Sequence, residues 1–146
     1  VWDFNNTADN YMDYPNQEDG FSLIAEPFFD ALIKDKLFVT AVVNRYRQLR
    51  KGVLSEEYLL NYIDETNTWL GEVVTRNYEV WGYVFDLKNY NEINYLTPVE
   101  RNVRSQKEAV EQLKNFLVAR GKWLDEYIET LYQYSHVSKN ANYLLR

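Results

Sequence analysis

The sequence predicts a mainly α-helical protein, a helical bundle of three to five helices behind an irregular N-terminal segment. Two observations predict this fold class. Apolar residues recur at three- and four-residue spacing along most of the chain after Pro27. Residues that favour helix starts, Asp35 and Ser55 among them, precede these stretches. Since each apolar stripe must be covered, packing helix on helix is the expected arrangement.

Residues 1–20 are predicted to be irregular. Turn-forming residues are dense in this segment, namely Asn5, Asn6, Asn10, Pro15, Asn16, Asp19 and Gly20. Polar loops of this kind, which here also carry aromatic and carboxylate side chains, are segments in which function tends to reside.

Two helices are predicted between residues 21 and 52. Pro27 suits the first turn of a short helix, whose apolar residues are Phe28, Phe29, Leu32 and Ile33. Asp35 can cap a second helix, whose apolar stripe consists of Phe38, Ala41, Val42, Tyr46 and Leu49. Cations near its end, which complement the helix dipole, are Arg45, Arg47, Arg50 and Lys51. Gly52 is expected to end it. The three arginines could contact an acidic partner or a phosphate, or form a solvated helix end.

A third helix is predicted to begin after Ser55, with Glu56 and Glu57 in its first turn. It is expected to run past Tyr78 toward Trp81 and to end at Gly82. The next stretch, residues 82–96, can be read as strand or as loop.

The last helix is the clearest prediction. Thr97 and Glu100 form a capping box with Pro98 at the first helical position, and this box starts either a short helix or the long one. The long stripe of the last helix consists of Val110, Leu113, Leu117, Leu124, Tyr127, Ile128 and Leu131. Gly121 interrupts it at a cost of about 1 kcal/mol relative to Ala, which indicates a close helix contact or a bend. Residues 136–146 are predicted to be a tail.

Composition excludes several kinds of site. The chain has no cysteine and a single histidine, His136, so thiolate sites and multi-histidine metal sites are excluded. The net charge of −6 argues against a nucleic-acid partner, which would need a basic footprint. No run of about 18 apolar residues exists, so no membrane span is predicted.

The 13 Tyr, 7 Phe and 4 Trp residues indicate either a carbohydrate-binding platform or aromatic packing on helices.

One segment, residues 2–10, carries a chemical pattern. An aspartate beside a hydrophobic residue at a strand end, as in Trp2-Asp3-Phe4-Asn5, is how kinase-like folds hold a metal ion. The alternative is that the carboxylates and asparagines of this loop make turns.

The order of several motifs resembles the spore coat protein H (CotH) kinase-like family. Residues 2–10 are similar to the family motif, in which Trp-Asp-x-Asp precedes a stretch ending in Gly-Asn. Residues 44–50 and 54–57 are similar to the helix that follows the motif and to its sequel. Residues 113–125 resemble the last helix. The likeness covers nearly the whole chain in the right order.

The resemblance implies an atypical protein kinase fold that transfers phosphate from ATP to protein serine with Mg or Mn. It implies that Asp3 binds the metal and that Asn10, which matches the terminal asparagine of the motif, lies at the cofactor. Two positions depart from the family pattern: Asn5 replaces a second Asp, and Asp9 replaces Gly. Both departures put activity at this site in doubt, because a metal loses a carboxylate and the loop loses a glycine.

We therefore expect residues 1–146 to be a single helical domain, the remainder of the C-terminal lobe of a larger CotH-like kinase. No glycine-rich phosphate loop is present, so no catalytic residue is assigned and no bound cofactor is expected in this chain alone. The alternative is a non-catalytic binding or structural module of a surface or spore-coat protein. The expected partner is a protein substrate or a coat or surface protein. The compartment stays open among the cell exterior, the cell surface and the spore coat.

Overall fold

The structure is a computed structural model that describes residues 19–21, 27–89 and 96–137 of the chain. The described residues form five α-helices: α1 (Pro27–Ile33), α2 (Lys36–Arg50), α3 (Glu56–Leu70), α4 (Glu72–Trp81) and α5 (Gln106–Tyr127). Short 3₁₀-helices span Gly82–Phe85, Leu87–Asn89, Val99–Arg101 and Ile128–Tyr134. These ranges contain no strand, and the predicted mainly α-helical class is confirmed.

The described residues divide into two compact units, each considered by itself below. The α2 unit takes in the described parts of residues 19–55 and 120–137, and the α3 unit takes in those of residues 56–119. Helix α5 passes from the second of these units into the first along the chain. The single domain over residues 1–146, the irregular segment 1–20 and the tail 136–146 stay predictions.

The α2 unit contains the buried apolar core of the described residues. Its buried side chains come from the end of α1, the middle of α2 and the last 3₁₀-helix: Ile33, Val39, Val43, Ile128 and Leu131. Phe21, Leu124 and Tyr132 pack against this cluster and are partly buried. Burial of each such aliphatic side chain contributes on the order of 1.5–3 kcal/mol, so this cluster holds α1, α2 and the last 3₁₀-helix together.

Helix α2 begins where the sequence predicts. The Asp35 side chain accepts hydrogen bonds from the backbone N–H groups of Leu37 (2.7 Å) and Phe38 (3.4 Å), which confirms it as the N-cap. The backbone of His136 lies beside this turn. Its N–H donates to the Lys34 carbonyl at 2.8 Å, and its carbonyl accepts from the Lys36 N–H at 2.9 Å. The end of the described chain is thereby tied to the start of α2.

The predicted stripe of α2 identifies the correct side of the helix but not its centre. Val39 and Val43 are fully buried, whereas the predicted Phe38 and Tyr46 are partly buried and Ala41 is exposed. The helix ends at Arg50, with Lys51 as C-cap in the right-handed α region. The predicted stop, Gly52, donates its N–H to the Leu49 carbonyl at 2.9 Å.

The predicted third helix is two helices, and Gly71 separates them. The residue has φ 48° and ψ −125°, a conformation that an L-amino acid with a side chain rarely adopts. The prediction of one helix from Ser55 to Trp81 is therefore wrong at this point. Its two ends are confirmed, since α3 begins at Glu56 and α4 ends at Trp81 with Gly82 as C-cap.

In the stretch predicted as strand or loop, residues 82–89 instead form two consecutive 3₁₀-helices, and residues 90–95 lie outside the described residues. The predicted capping box at Thr97 is wrong, because Pro98 occupies the N-cap position after a cis Thr97–Pro98 bond and makes no side-chain cap. This segment starts the short helix Val99–Arg101 rather than α5. Asn102 closes the turn, exchanging hydrogen bonds of 2.7 and 2.8 Å with the backbone of Leu96.

Polar contacts join the helices of the α3 unit. The Gln106 amide on α5 donates to the Asn67 side chain on α3 at 2.9 Å, and the Lys114 ammonium pairs with Asp64. The Gln112 amide donates to the Arg101 carbonyl at 2.8 Å. None of the described helices has the length and apolar character needed to cross a bilayer.

Candidate functional site

The two site residues predicted from the sequence, Asp3 and Asn10, lie outside the residues that the structure describes. Their roles as metal-binding and cofactor-binding residues therefore stay predictions. The structure does describe the helices in which the resemblance continues, and a polar cluster joins two of them within the α2 unit.

This cluster consists of Tyr46 and Arg50 on α2 and Asp125 on α5. The Arg50 Nε atom donates to both carboxylate oxygens of Asp125 at 3.0 Å, and the Tyr46 hydroxyl donates to Asp125 Oδ1 at 2.7 Å. Arg50 also donates through Nη1 to the Leu54 carbonyl, just after α2. One carboxylate is thus held by two side chains of the facing helix, and one guanidinium joins α5 to the turn that follows α2.

Gly121 makes room for this cluster on α5. A Cβ atom at position 121 would lie 2.7 Å from Arg50 Nη2 and 2.9 Å from Arg50 Cζ, well inside normal contact distance. The Tyr46 hydroxyl lies 3.2 Å from the Gly121 carbonyl. The helix continues through this residue without a break, so the glycine serves a close helix contact, the first of the two readings that its position indicated.

The cluster raises the pKa of Tyr46. Burial, the hydrogen bond to Asp125 and the negative charge of that carboxylate raise the pKa of Tyr46 from 10.0 to about 12, although the nearby Arg50 and Arg47 act in the opposite direction. The phenol therefore keeps its proton further into the alkaline range, and it acts as a hydrogen-bond donor to Asp125. The hydroxyl and the guanidinium thus both donate to the same carboxylate.

The other arginines of the α2 end make weaker contacts. Arg47 pairs with Glu129 at 3.3 Å, and Arg45 donates to the Gln48 side chain at 2.7 Å. The Arg50 side chain is 16% exposed and that of Asp125 38%, against 41% for Arg47 and 66% for Glu129. Arg47 and Arg50 thus pair with carboxylates of the chain itself, Glu129 and Asp125, and contact with an acidic partner or a phosphate stays a prediction.

A second feature of the α2 unit is an open, mainly apolar cavity of about 280 Å³. It reaches the core residues Val39 and Ile128, and Arg120 is the charged residue in its lining. The Arg120 guanidinium donates to the Gly20 carbonyl at 2.8 Å and lies 5.0 Å from the centre of the Trp123 ring, a cation–π contact. Burial lowers the pKa of Arg120, while nearby Asp19 acts to raise it.

The fit of a metal ion can be tested on the described residues alone. They contain no group of three or more His, Cys, Asp or Glu side chains that could hold one. Two of the described carboxylates are instead paired with cations of the chain, Asp125 with Arg50 and Asp64 with Lys114. Among the described residues the geometry supports an ion pair that links α2 to α5, which we call the Arg50–Asp125 clamp. The predicted metal ligand Asp3 lies outside the described residues.

Sequence reasoning did not assign Tyr46, Arg50 or Asp125 to one cluster. Arg50 was read as part of a basic helix end, and Tyr46 as part of an apolar stripe. One signal pointed to the cluster: a glycine at position 121 in the middle of a strong helical pattern, at a place where a close neighbour would explain it.

The chain was compared with known proteins and families. A search of curated proteins finds no match, and no solved structure matches either. The sequence model of the family described as CotH kinase protein matches residues 1–124. That range includes the motif at residues 2–10, helices α1 to α4 and most of α5. The match covers most of the sequence and agrees with the ordered motifs, and the chain therefore belongs to the CotH kinase protein family.

Proposed function

We propose that the chain is the C-terminal helical region of a CotH-like atypical protein kinase, whose intact parent transfers phosphate from ATP to protein serine. The observation that carries this proposal is the family match over residues 1–124, which includes Asp3 and Asn10 together with the helices that follow them in sequence. In this proposal the chain contributes helical support and a part of the metal and nucleotide site.

Asp3 is the residue proposed to hold Mg or Mn, as the metal-binding aspartate of a kinase does, and Asn10 is proposed to contact the nucleotide. A divalent ion bound there would neutralise charge on the phosphates that are being transferred. The remaining requirements of phosphoryl transfer are a cationic cradle on the phosphates and a residue that positions the attacking hydroxyl. We propose that other parts of the parent supply both, and that the isolated chain is inactive.

The Arg50–Asp125 clamp is consistent with a supporting role for this chain in the parent. Phosphoryl transfer depends on accurate positioning of the metal and the phosphates, so the elements behind a site must be held in one arrangement. The clamp joins α2 to α5, with one charged side chain from each helix. In our proposal this pair is part of the helical support that the chain contributes to the parent.

A phosphorylation assay on the intact parent, with a serine-containing protein as acceptor, tests the proposal. We expect transfer of the γ-phosphate from ATP in the presence of Mg or Mn, and its loss in Asp3→Ala. Asp13→Ala, which removes a carboxylate from the same N-terminal segment outside the motif, is the matched control and should retain activity. Phosphate transfer that is unchanged in Asp3→Ala would show that the metal role of Asp3 is wrong.

The alternative function is a non-catalytic binding or structural module of a surface or spore-coat protein. It differs from the kinase proposal in one measurable respect. A parent that binds a coat or surface protein but never transfers phosphate, whether wild type or Asp3→Ala, would favour the module over the enzyme. The departures at Asn5 and Asp9 from the family motif make this comparison informative.

A further inference from the structure

Three large aromatic side chains lie along one face of α3. Tyr58, Tyr62 and Trp69 are spaced by four and seven residues, which places them within a narrow arc of the helix surface. They are 48%, 60% and 84% exposed, respectively. The rings of Tyr58 and Tyr62 are parallel within 9°, with their centres 6.3 Å apart. We call this surface, together with Glu65, the α3 aromatic face.

The α3 unit as described has little interior of its own. No apolar side chain of α3, α4 or α5 is fully buried, and within the described part of this unit Arg101 is the one fully buried residue. The apolar residues Val73, Val80 and Trp81 of α4 are at least half exposed as well. Exposed apolar surface of this extent is typical of a site that contacts another molecule.

Charge indicates what kind of partner fits the α3 aromatic face. Helix α3 carries four carboxylates and no lysine or arginine, and helical spacing places one of the four, Glu65, on the aromatic face. Glu65 lies three residues after Tyr62 and four residues before Trp69, so helical spacing puts its carboxylate between the two rings. An acidic and aromatic surface of this kind complements a cationic group, which the ring faces and the carboxylate attract together.

A second copy of the chain fits this face poorly. In a symmetric dimer the same patch meets itself, so α3 would be placed against another α3. Glu65 is the carboxylate on this face and α3 has no lysine or arginine, so two facing copies of the face would offer each Glu65 no cation to pair with. The occupant is therefore expected to carry the opposite charge.

We propose that the α3 aromatic face docks an arginine-bearing segment of a partner protein. A guanidinium is planar, stacks on aromatic rings and forms paired hydrogen bonds with a carboxylate, so arginine suits this surface better than lysine. The partner's arginine side chains lie against the rings of Tyr62 and Trp69 and pair with Glu65. This contact requires no phosphate transfer and is independent of the function proposed above.

Fluorescence anisotropy on the full chain, with a labelled peptide of alternating arginine and alanine as the probe, tests this docking. We expect binding that weakens as salt is added, because charge contributes to it. Tyr62→Ala and Trp69→Ala should each weaken binding roughly fivefold, the loss of one cation–π contact. Glu65→Gln should weaken it by a similar factor.

Three controls make the result interpretable. Phe28→Ala removes an exposed aromatic ring from α1 and should leave binding unchanged. A peptide with glutamine in place of arginine should not bind, and one with lysine should bind more weakly than the arginine peptide. Circular dichroism checks that each variant keeps its helix content, which is expected because the substituted side chains are largely exposed.

Several results would overturn the proposal. One is equal binding of the arginine peptide to the wild type and to the Tyr62→Ala and Trp69→Ala variants. Another is binding of neutral oligosaccharides that depends on the same rings but not on Glu65, which would assign the face to a glycan. Sedimentation that shows a dimer lost in Trp69→Ala would assign it to a second copy.

Discussion

The guanidinium of Arg50 occupies the space that a side chain at residue 121 would need. An added Cβ atom there would lie 2.7 Å from Arg50 Nη2, while the same guanidinium is held by Asp125 on the next turn of α5. A glycine that is unfavourable for a helix by about 1 kcal/mol thus permits an ion pair between α2 and α5.

Gly121→Ala should therefore have different effects in two backgrounds. In the wild type the new methyl group displaces the Arg50 side chain from Asp125, so the free energy of unfolding should fall or stay unchanged. In Arg50→Ala the obstacle is gone, and Gly121→Ala should raise the free energy of unfolding by about 1 kcal/mol through helix propensity. Urea unfolding followed by circular dichroism measures both values. Equal stabilisation in the two backgrounds would show that Arg50 does not occupy this space.

The two arginine pairs at the end of α2 should differ in strength. Arg50→Met leaves the partly buried Asp125 without its cation, and we expect a loss of about 1–3 kcal/mol in the free energy of unfolding. Arg47→Met breaks an exposed pair with Glu129 and should change it by less than about 0.5 kcal/mol. Both variants replace an arginine of α2 with methionine, so they differ in the ion pair that is removed. A loss for Arg47→Met as large as that for Arg50→Met would contradict the ranking by burial.

High pH should destabilise the α2 unit through Tyr46. The folded state raises the pKa of this phenol from 10.0 to about 12, so it binds the proton more tightly than the unfolded chain does. The resulting stabilisation is fully present below pH 10 and is lost as the pH rises through 12. Unfolding measured across this range should show an alkaline loss that is smaller in Tyr46→Phe. Tyr134→Phe controls for removal of one tyrosine, and an identical pH dependence in Tyr46→Phe and wild type would refute the effect.

Gly71 should be intolerant of a side chain. Its φ of 48° with ψ −125° is strained for alanine, so Gly71→Ala should lower the free energy of unfolding by about 1–3 kcal/mol. Gly82→Ala is the matched control, because Gly82 has φ −62° and an added Cβ would lie at an ordinary 3.8 Å from Tyr78. That variant should be neutral or slightly stabilising. If both substitutions had the same effect, the break between α3 and α4 would not depend on the glycine conformation.

Local chemistry explains which parts of the fold the sequence predicted. The cap at Asp35 and the start of α3 after Ser55 depend on residues adjacent in sequence, so they could be read directly. The break at Gly71 was missed because the apolar spacing continues across it through Val73 and Val74, and periodicity alone does not reveal a change of helix direction. A glycine inside a pattern admits both a continuous helix and a break.

The sequence also could not predict which apolar residues lie at the centre of the buried face of α2. Apolar residues cover a wide arc of this helix, and the choice of Val39 and Val43 over Phe38 and Val42 is made by contact with Ile128 and Leu131. Those residues are far away in sequence, so the pattern on α2 cannot specify the choice. The Arg50–Asp125 pair could not be predicted for the same reason, because the two residues are 75 residues apart in sequence. Gly121 alone signalled that α5 has a close neighbour.

The central claim is that this CotH-family chain supports a phosphotransfer site without holding a complete one. Isothermal titration of ATP into the isolated chain, in the presence of Mg or Mn, tests it most directly. We predict no binding in the micromolar range by the chain alone, and binding by the intact parent that Asp3→Ala abolishes. Micromolar binding of ATP by these 146 residues alone would contradict it.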